Sequence, residues 1–372
     1  MRIAFDAKRA FLNKSGLGNY SRSLITSMIQ NFPENSYTLF TTKKSELAFA
    51  DFISQRENVN CIEPKKFIDK KISSRWRSYE ITTLLNENAI DVYHGLSNEL
   101  PLNIQKFKGR KIVTIHDLIF LRYPELYPLI DRTIYNKKFR KACEMADFIV
   151  ATSEQTKRDI LEFYKIPEQK IRVVYQSCAT IFYQEQSEEK LKGVKSKYNL
   201  PDNYLLSVGT IEERKNLLTI VKALNLLRDI KLVVVGKKRD YFKTVNDFIV
   251  ANKLESRVLF LEKVETEELP AIYKLAQVFI YPSLFEGFGI PIIEALTSKT
   301  PVIAANTSSL PEAGGKDSIY FDATNHEQLA IEIQKIISSP ELRNIIIDKG
   351  YMYSQKYRPE VIANEILKIY LE

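Results

Sequence analysis

The sequence predicts an α/β protein made of two doubly wound parallel sheets in tandem. Three observations carry that expectation. Short Val/Ile/Leu-rich runs alternate with stretches of helical period, the pattern of strands covered on both faces by crossover helices. The alternation pauses at one polar, charged segment, "YQEQSEEKLKGVKSKYNLPDN", and then restarts. The chain has 372 residues, enough for two sizeable cores at about 100–200 residues per domain.

In the first half the strand candidates are "RIAFDA", "YTLFTT", "NVNCIE", "IDVYHG", "KIVTIHD", "DFIVATS" and "IRVVYQS". Helical periodicity fills 19–30, 76–86 and 131–145 between them. The stretch "SEQTKRDILEFY" follows a strand directly, and Ser153 is its expected N-cap. In the second half "YLLSVGT", "IKLVVVG", "RVLFLE", "AQVFIYP" and "TPVIAAN" read as strands. Helices are expected over 216–227, 241–252, 266–275 and 291–298, and the chain from about Ser338 is helical in pattern with no further strand. The link between the halves falls near 176–190. In such sheets ligands sit beyond the carboxyl ends of the strands, so two ladders in tandem are expected to face each other across a cleft.

Composition narrows the function. The chain is 45% hydrophobic and 27% charged, ordinary for a globular protein. Cys61, Cys143 and Cys178 form no spaced cluster, which fits a reducing cytosol and argues against a disulfide framework or zinc site. The start, "MRIAFDAKRAF", lacks the apolar core of a signal peptide, and no run of about 18 apolar residues exists. The net charge is +8, unevenly spread: residues 1–183 hold 29 Lys+Arg against 20 Asp+Glu. Two segments are dense in cations among aromatic and apolar residues, "KKFIDKKISSRWR" and "RTIYNKKFRK". Such segments mark an anionic membrane surface or a nucleic acid, or simply a solvated basic face. No nucleic-acid motif accompanies them.

Four sites at strand ends carry candidate chemistry. In "NKSGLGNYSRSL", Gly16 and Gly18 allow a tight turn before a helix whose amides suit an anion. A purely structural turn reads equally well, because neither the phosphate-loop nor the dinucleotide fingerprint is met. In "TIHDLIF", His116 ends a strand; a satisfied structural histidine is the competing reading, though the chain has only three histidines. In "SVGTIEERKNL", Arg214 and Lys215 precede a helix. Two cations there oppose the macrodipole unless an anion is bound, and a pyrophosphate would suit both. In "SLFEGFGIPIIEAL", Glu286 lies in a loop with Gly287, Phe288 and Gly289, while Glu294 lies in the first turn or so of the next helix. Carboxylates accept hydrogen bonds from vicinal hydroxyls, so this pair fits sugar hydroxyls. Simple dipole stabilisation is the competing reading for Glu294.

The motif "SLFEGFGIPIIEAL" resembles the signature of retaining glycosyltransferases of GT-B fold, glycosyltransferase family 4. "SGLGNYSRSL", "HGLSNELP", "TIHDLIFLRYPELY", "TSEQTKRDI" and "VGTIEERKNL" follow the family's order. The resemblance implies two Rossmann-like domains: an acceptor domain over 1–180 and a nucleotide-sugar domain over 181–355, with the C-terminal helix of 356–372 crossing back to the first. It implies that Arg214 and Lys215 bind pyrophosphate, that Glu294 binds ribose, and that Glu286 contacts the donor sugar with the amides of Phe288 and Gly289. His116 resembles the histidine near the transferred sugar, and Gly16 and Gly18 the loop approaching phosphate. Gly209 and Thr210 line the donor site. Many relatives carry arginine where Thr210 stands; Arg214 is then the substitute guanidinium.

The implied reaction moves a hexose, mannose from GDP-mannose ahead of UDP-sugars, onto a glycan or lipid-linked glycan in surface polysaccharide synthesis. It retains configuration and needs no metal and no cofactor. The implied place is the cytoplasm, with the basic first half against an anionic membrane. A nucleotide-sugar epimerase or hydrolase of the same fold is the competing enzyme, and a basic membrane- or nucleic-acid-binding protein the competing non-enzyme.

Overall fold

The computed structural model describes residues 1–13, 16–43, 48–65 and 73–372. The chain divides into two compact units, Met1–Ser177 with Arg358–Glu372, and Cys178–Tyr357.

The first unit is a seven-stranded sheet of β1 (Arg2–Asp6), β2 (Ser36–Phe40), β3 (Val59–Ile62), β4 (Val92–Gly95), β5 (Arg110–Ile115), β6 (Phe148–Ala151) and β7 (Ile171–Val173). Their spatial order is β3-β2-β1-β4-β5-β6-β7 and every described pairing is parallel. The order reverses between β1 and β4, the switch point at which such sheets open toward ligands. One face packs Tyr93, Val113 and Ile149 against Leu85, Phe120 and Phe139. The other packs Ile3, Phe5 and Val92 against Leu24 and Met28. Each β-branched run is therefore buried from both sides, which is why it reads as continuous rather than alternating.

The last helix, Pro359–Leu371, belongs to this unit, and Ile362, Ala363, Ile366, Ile369 and Tyr370 join the core on the β1 side. A buried polar chain fixes it. His94 Nδ1 lies 2.6 Å from Tyr370 Oη, and His94 Nε2 lies 2.8 Å from Thr114 Oγ1, itself 3.1 Å from Tyr20 Oη. Burial, then the neighbouring His116, holds the His94 imidazole down at about 3, so it stays neutral.

The second unit has β8 (Tyr204–Val208), β9 (Lys231–Val235), β10 (Val258–Leu261), β11 (Val278–Tyr281), β12 (Val302–Ala305) and β13 (Ile319–Phe321) in the order β10-β9-β8-β11-β12-β13, all parallel. Its switch point lies between β8 and β11.

Several elements differ from expectation. The charged segment after Tyr183 holds a helix, Glu188–Lys197, which Ser187 caps by accepting from the Lys190 amide. Its low apolar content hides it, because only Val194 is buried. The short strand Ile319–Phe321 escapes the sequence reading for want of an apolar run. The helix expected over 76–86 is broken: Ser73–Arg75 leads into a π-helical Trp76–Glu80 before Ile81–Glu87. Trp76 is buried there, its ring 6.1 Å from that of Phe40, and Arg77 reaches Asp6 at 2.5 Å. Ser153 does cap its helix, accepting from the Thr156 amide at 3.0 Å. Residues 66–72 of the first basic segment lie outside the described residues.

Candidate active site

The densest polar constellation of the second unit forms where β8 and β11 end. After β8 the chain turns at Gly209, whose φ of +146° is open to glycine and poorly tolerated by other residues. Gly236 lies alongside; a Cβ on it would meet the Gly209 carbonyl oxygen at 1.9 Å. A hollow here is lined by Gly209, Thr210, Lys215 and Tyr281.

Arg214 and Lys215 sit in a 3-10 turn, Glu213–Lys215, ahead of the helix Leu217–Leu226. Asn216 joins the two in the left-handed conformation, its side-chain amide donating to the Pro282 and Ala323 carbonyls. Both cations turn to Glu286. Lys215 Nζ lies 2.6 Å and Arg214 NH1 2.8 Å from Glu286 Oε1, while Arg214 NH2 also meets Glu212 Oε1 at 2.8 Å. Lys215 donates to Tyr281 Oη at 2.6 Å, and Tyr281 donates to Glu286 at 3.2 Å. Burial would push the Glu286 carboxyl up, but Lys215 and Arg214 outweigh it and hold it at about 2. Burial likewise disfavours the Lys215 ammonium, and Glu286 more than restores it. The two cations therefore do not stand uncompensated before a helix, as the sequence led us to expect. Glu286 is their anion in this state.

The Glu286 loop is fixed by hydrogen bonds the sequence does not announce. Its amide donates to Ser308 Oγ at 3.0 Å. Ser309 Oγ donates to the carbonyls of Glu286 and Phe288 at 2.9 and 2.8 Å. Phe288 is buried edge-on to Tyr357. Gly289 precedes the helix Ile290–Thr297 with φ +124°, which frees the loop to enter the helix sharply. Gly287 completes this turn.

Glu294 is the fifth residue of that helix, in its second turn rather than its first, so the macrodipole gives it little. Burial raises its carboxyl to about 7, against which the Tyr273 hydroxyl, donating at 2.9 Å, is the opposing contact. Glu286 and Glu294 thus differ widely in proton affinity although eight positions separate them. One sits on two cations; the other sits among apolar walls with one phenol.

The first-unit candidates divide differently. His116 caps β5 and is 5% exposed. Its Nε2 donates to the Leu96 carbonyl at 2.9 Å, and its Nδ1 faces Gln176 Nε2 at 3.3 Å. Tyr20 meets the ring edge-on at 4.7 Å. Burial holds the imidazole at about 4, so it is neutral near pH 7. Gly16 and Gly18 are not in a loop: they open the helix Gly16–Asn31. Gly18 is taken up by packing, since a Cβ on it would meet the Asn13 carbonyl oxygen at 1.9 Å; Gly16 meets nothing within 4 Å.

Sequence reasoning missed Tyr281, Glu212, Asn216, Ser308 and Ser309. Tyr281 was readable only as a strand residue, and the serines only as a polar run before a helix. Their roles arise from where the sheet brings them.

Two family models match. Residues 16–178 match "Glycosyltransferase Family 4" and residues 188–353 match "Glycosyl transferases group 1". O-antigen chain mannosyltransferase B of Escherichia coli is 27% identical over 286 residues, covering 75% of this chain and 74% of that one. The crystal structure of a glycosyltransferase from Rickettsia africae superposes with a TM-score of 0.78 at 19% identity, over 99% of this chain and 97% of that one. Anabaena Alr3699/HepE in complex with UDP superposes with a TM-score of 0.76 at 15% identity, over 99% of both.

Proposed function

Because this chain belongs to the family 4-like glycosyltransferases of GT-B fold, we propose that it moves a hexose from a nucleotide sugar to a glycan or lipid-linked glycan, with retention and without a metal. The mannosyltransferase relative supports mannose and an acceptor in O-antigen-like surface polysaccharide, with GDP-mannose as the donor of first choice. The UDP complex of the Anabaena neighbour keeps UDP-sugars as the second. We place the reaction in the cytoplasm at the inner membrane face; the scarcity and wide spacing of the three cysteines, Cys61, Cys143 and Cys178, support a reducing compartment. Among the described residues no helix is long and apolar enough to cross a membrane.

One observation carries the proposal: Lys215 and Arg214 converge on a single oxygen, Glu286 Oε1, at the mouth of β8. That place suits a diphosphate oxygen as well as a carboxylate. In the proposed reaction the diphosphate takes this position. The bond between the anomeric carbon and phosphate oxygen breaks, and the charge that develops meets cations already in place. Each such preorganised donor is worth roughly 10²–10³ in rate. Glu286, displaced from the cations, turns to the sugar hydroxyls, and Glu294 to the ribose diol. The acceptor oxygen bonds to the anomeric carbon on the face the phosphate leaves, and its proton passes to the departing phosphate oxygen. Gly209 and Thr210 line the phosphate path, and the Phe288 and Gly289 amides approach the sugar.

The deciding experiment is calorimetric titration of GDP and UDP into wild type and Lys215→Ala, beside a product assay with and without acceptor. The proposal expects diphosphate binding that the variant loses, and sugar transfer only with acceptor. Equal binding by both proteins would refute the site. Sugar release or epimerisation without acceptor would favour the hydrolase or epimerase.

A further inference from the structure

The second basic-aromatic segment, Arg132–Lys141, is part of the 17-residue helix Leu129–Met145, and the start of that helix stands out among the described residues of the first unit. Leu129 and Ile130, at 70% and 73% exposure, are the most exposed large hydrophobics among the described residues of this unit. Ile134, at 45%, continues the same stripe one turn on from Ile130, at i,i+4, while Leu126, at 37%, lies in the separate turn Pro124–Leu126 just ahead of the helix. Beyond Ile134 the stripe turns cationic with Lys137, Lys138 and Lys141. Over Leu129–Lys141 there are five basic residues and one acidic, Asp131.

The base of the helix is held rigidly. Tyr135 stacks on Phe139 at 5.7 Å, and both meet Phe120 edge-on, at 5.9 and 5.4 Å. Phe139 is buried in the core. Lys138 is tied to Glu99 at 3.3 Å. The apolar tip is thus presented, not folded back.

We propose that this helix tip docks the protein on an anionic phospholipid surface. Leu129, Ile130 and Ile134 enter the headgroup region, and Lys137 and Lys141 lie against lipid phosphates. Charge complementarity selects this occupant. A tip of adjoining aliphatic side chains rimmed by lysines is the pattern that partitions into an acidic interface, and the whole first half carries the excess positive charge. The inference stands on exposure and charge, and it holds or fails independently of the sugar-transfer reading.

The test is cosedimentation of the full chain with phosphatidylglycerol/phosphatidylcholine vesicles and with phosphatidylcholine alone, at low and high salt. Wild type is expected to bind the anionic vesicles in a salt-sensitive way. Leu129→Ser with Ile130→Ser should weaken that binding at least about tenfold, and Lys137→Glu with Lys141→Glu about as much. Thermal melts should stay close to wild type, because Leu129, Ile130 and Lys137 are exposed and Lys141 is only partly buried. Absence of wild-type binding to anionic vesicles at low salt overturns the proposal. So does undiminished binding by the double-serine variant. If that variant instead converts a dimer to a monomer by sedimentation velocity while vesicle binding is unchanged, the tip is a contact between chains and the proposal is wrong.

Discussion

Replacing Glu294 by Gln should stabilise the protein, and only on the alkaline side. Burial raises the Glu294 carboxyl from an ordinary 4.5 to about 7. A raised carboxyl favours the folded state while protonated, and that advantage is lost as pH rises through about 7. A rise from 4.5 to about 7, at about 1.4 kcal/mol per pH unit, bounds the cost of ionisation at about 3 kcal/mol above neutrality. Glu294 is half-buried, so solvent screening trims this, and about 2 kcal/mol is the working expectation. Glutamine mimics the protonated acid and still accepts from the Tyr273 hydroxyl. Glu294→Gln should therefore melt roughly 4–8 °C higher than wild type at pH 8.5, for a unit of this size, and about equal to it at pH 4. The assay is a differential scan of both proteins across that range. An equal gain at both ends, or no gain at pH 8.5, would refute the reasoning. The same variant should bind a nucleoside diphosphate more weakly, because an amide is a poorer acceptor for a ribose diol. A buried carboxylate that costs stability and serves binding is the signature expected of a functional group.

Lys215→Ala should lower transfer by about 10²-fold or more in a steady-state product assay, and near-normal turnover would remove Lys215 from the leaving-group role. Glu286→Gln should lower turnover by a similar 10²–10³ yet tighten diphosphate binding about tenfold by calorimetry, since the competing carboxylate is gone; weaker binding would show that Glu286 does not contest the cations. In acid the wild-type protein should lose stability between about pH 4.5 and 2 as Glu286 takes up its proton, because a depressed carboxyl stabilises only above that window; in Glu286→Gln that limb should flatten in acid titrations followed by circular dichroism. Gly18→Ala should destabilise the first unit by about 1–3 kcal/mol in denaturant unfolding, because its Cβ would meet the Asn13 backbone at 1.9 Å and backbone yields poorly.

The parallel sheets were legible because every strand but Ile319–Phe321 has an apolar run long enough to see, and because the connecting helices keep a 3.6 period. The helix Glu188–Lys197 was not, since it buries one side chain and so lacks a stripe. The π-helical Trp76–Glu80 was not, since an extra residue per turn leaves no compositional mark. At the site, glutamates and cations could be named from motif and strand-end position, but not their pairing. That Lys215 donates to the Glu286 carboxylate depends on β8 and β11 being sheet neighbours, a relation between residues 71 apart. Gly18 shows the opposite hazard. A glycine suited to a phosphate loop serves here to let two backbones touch.

The helix that completes the first unit leaves the ribosome only after the whole of the second unit. Ile362, Ile366 and Tyr370 fill a core begun by Ile3 and Phe5, and His94 waits for the Tyr370 hydroxyl. At about 5–20 residues per second, the stretch from Cys178 to Tyr357 imposes a delay of roughly 10–40 seconds before that core can close. During translation the nascent first unit must persist with an open apolar face, while the second unit can finish on its own. Deleting the helix Pro359–Leu371 should then be felt most around Ile3 and Phe5, whose core it fills.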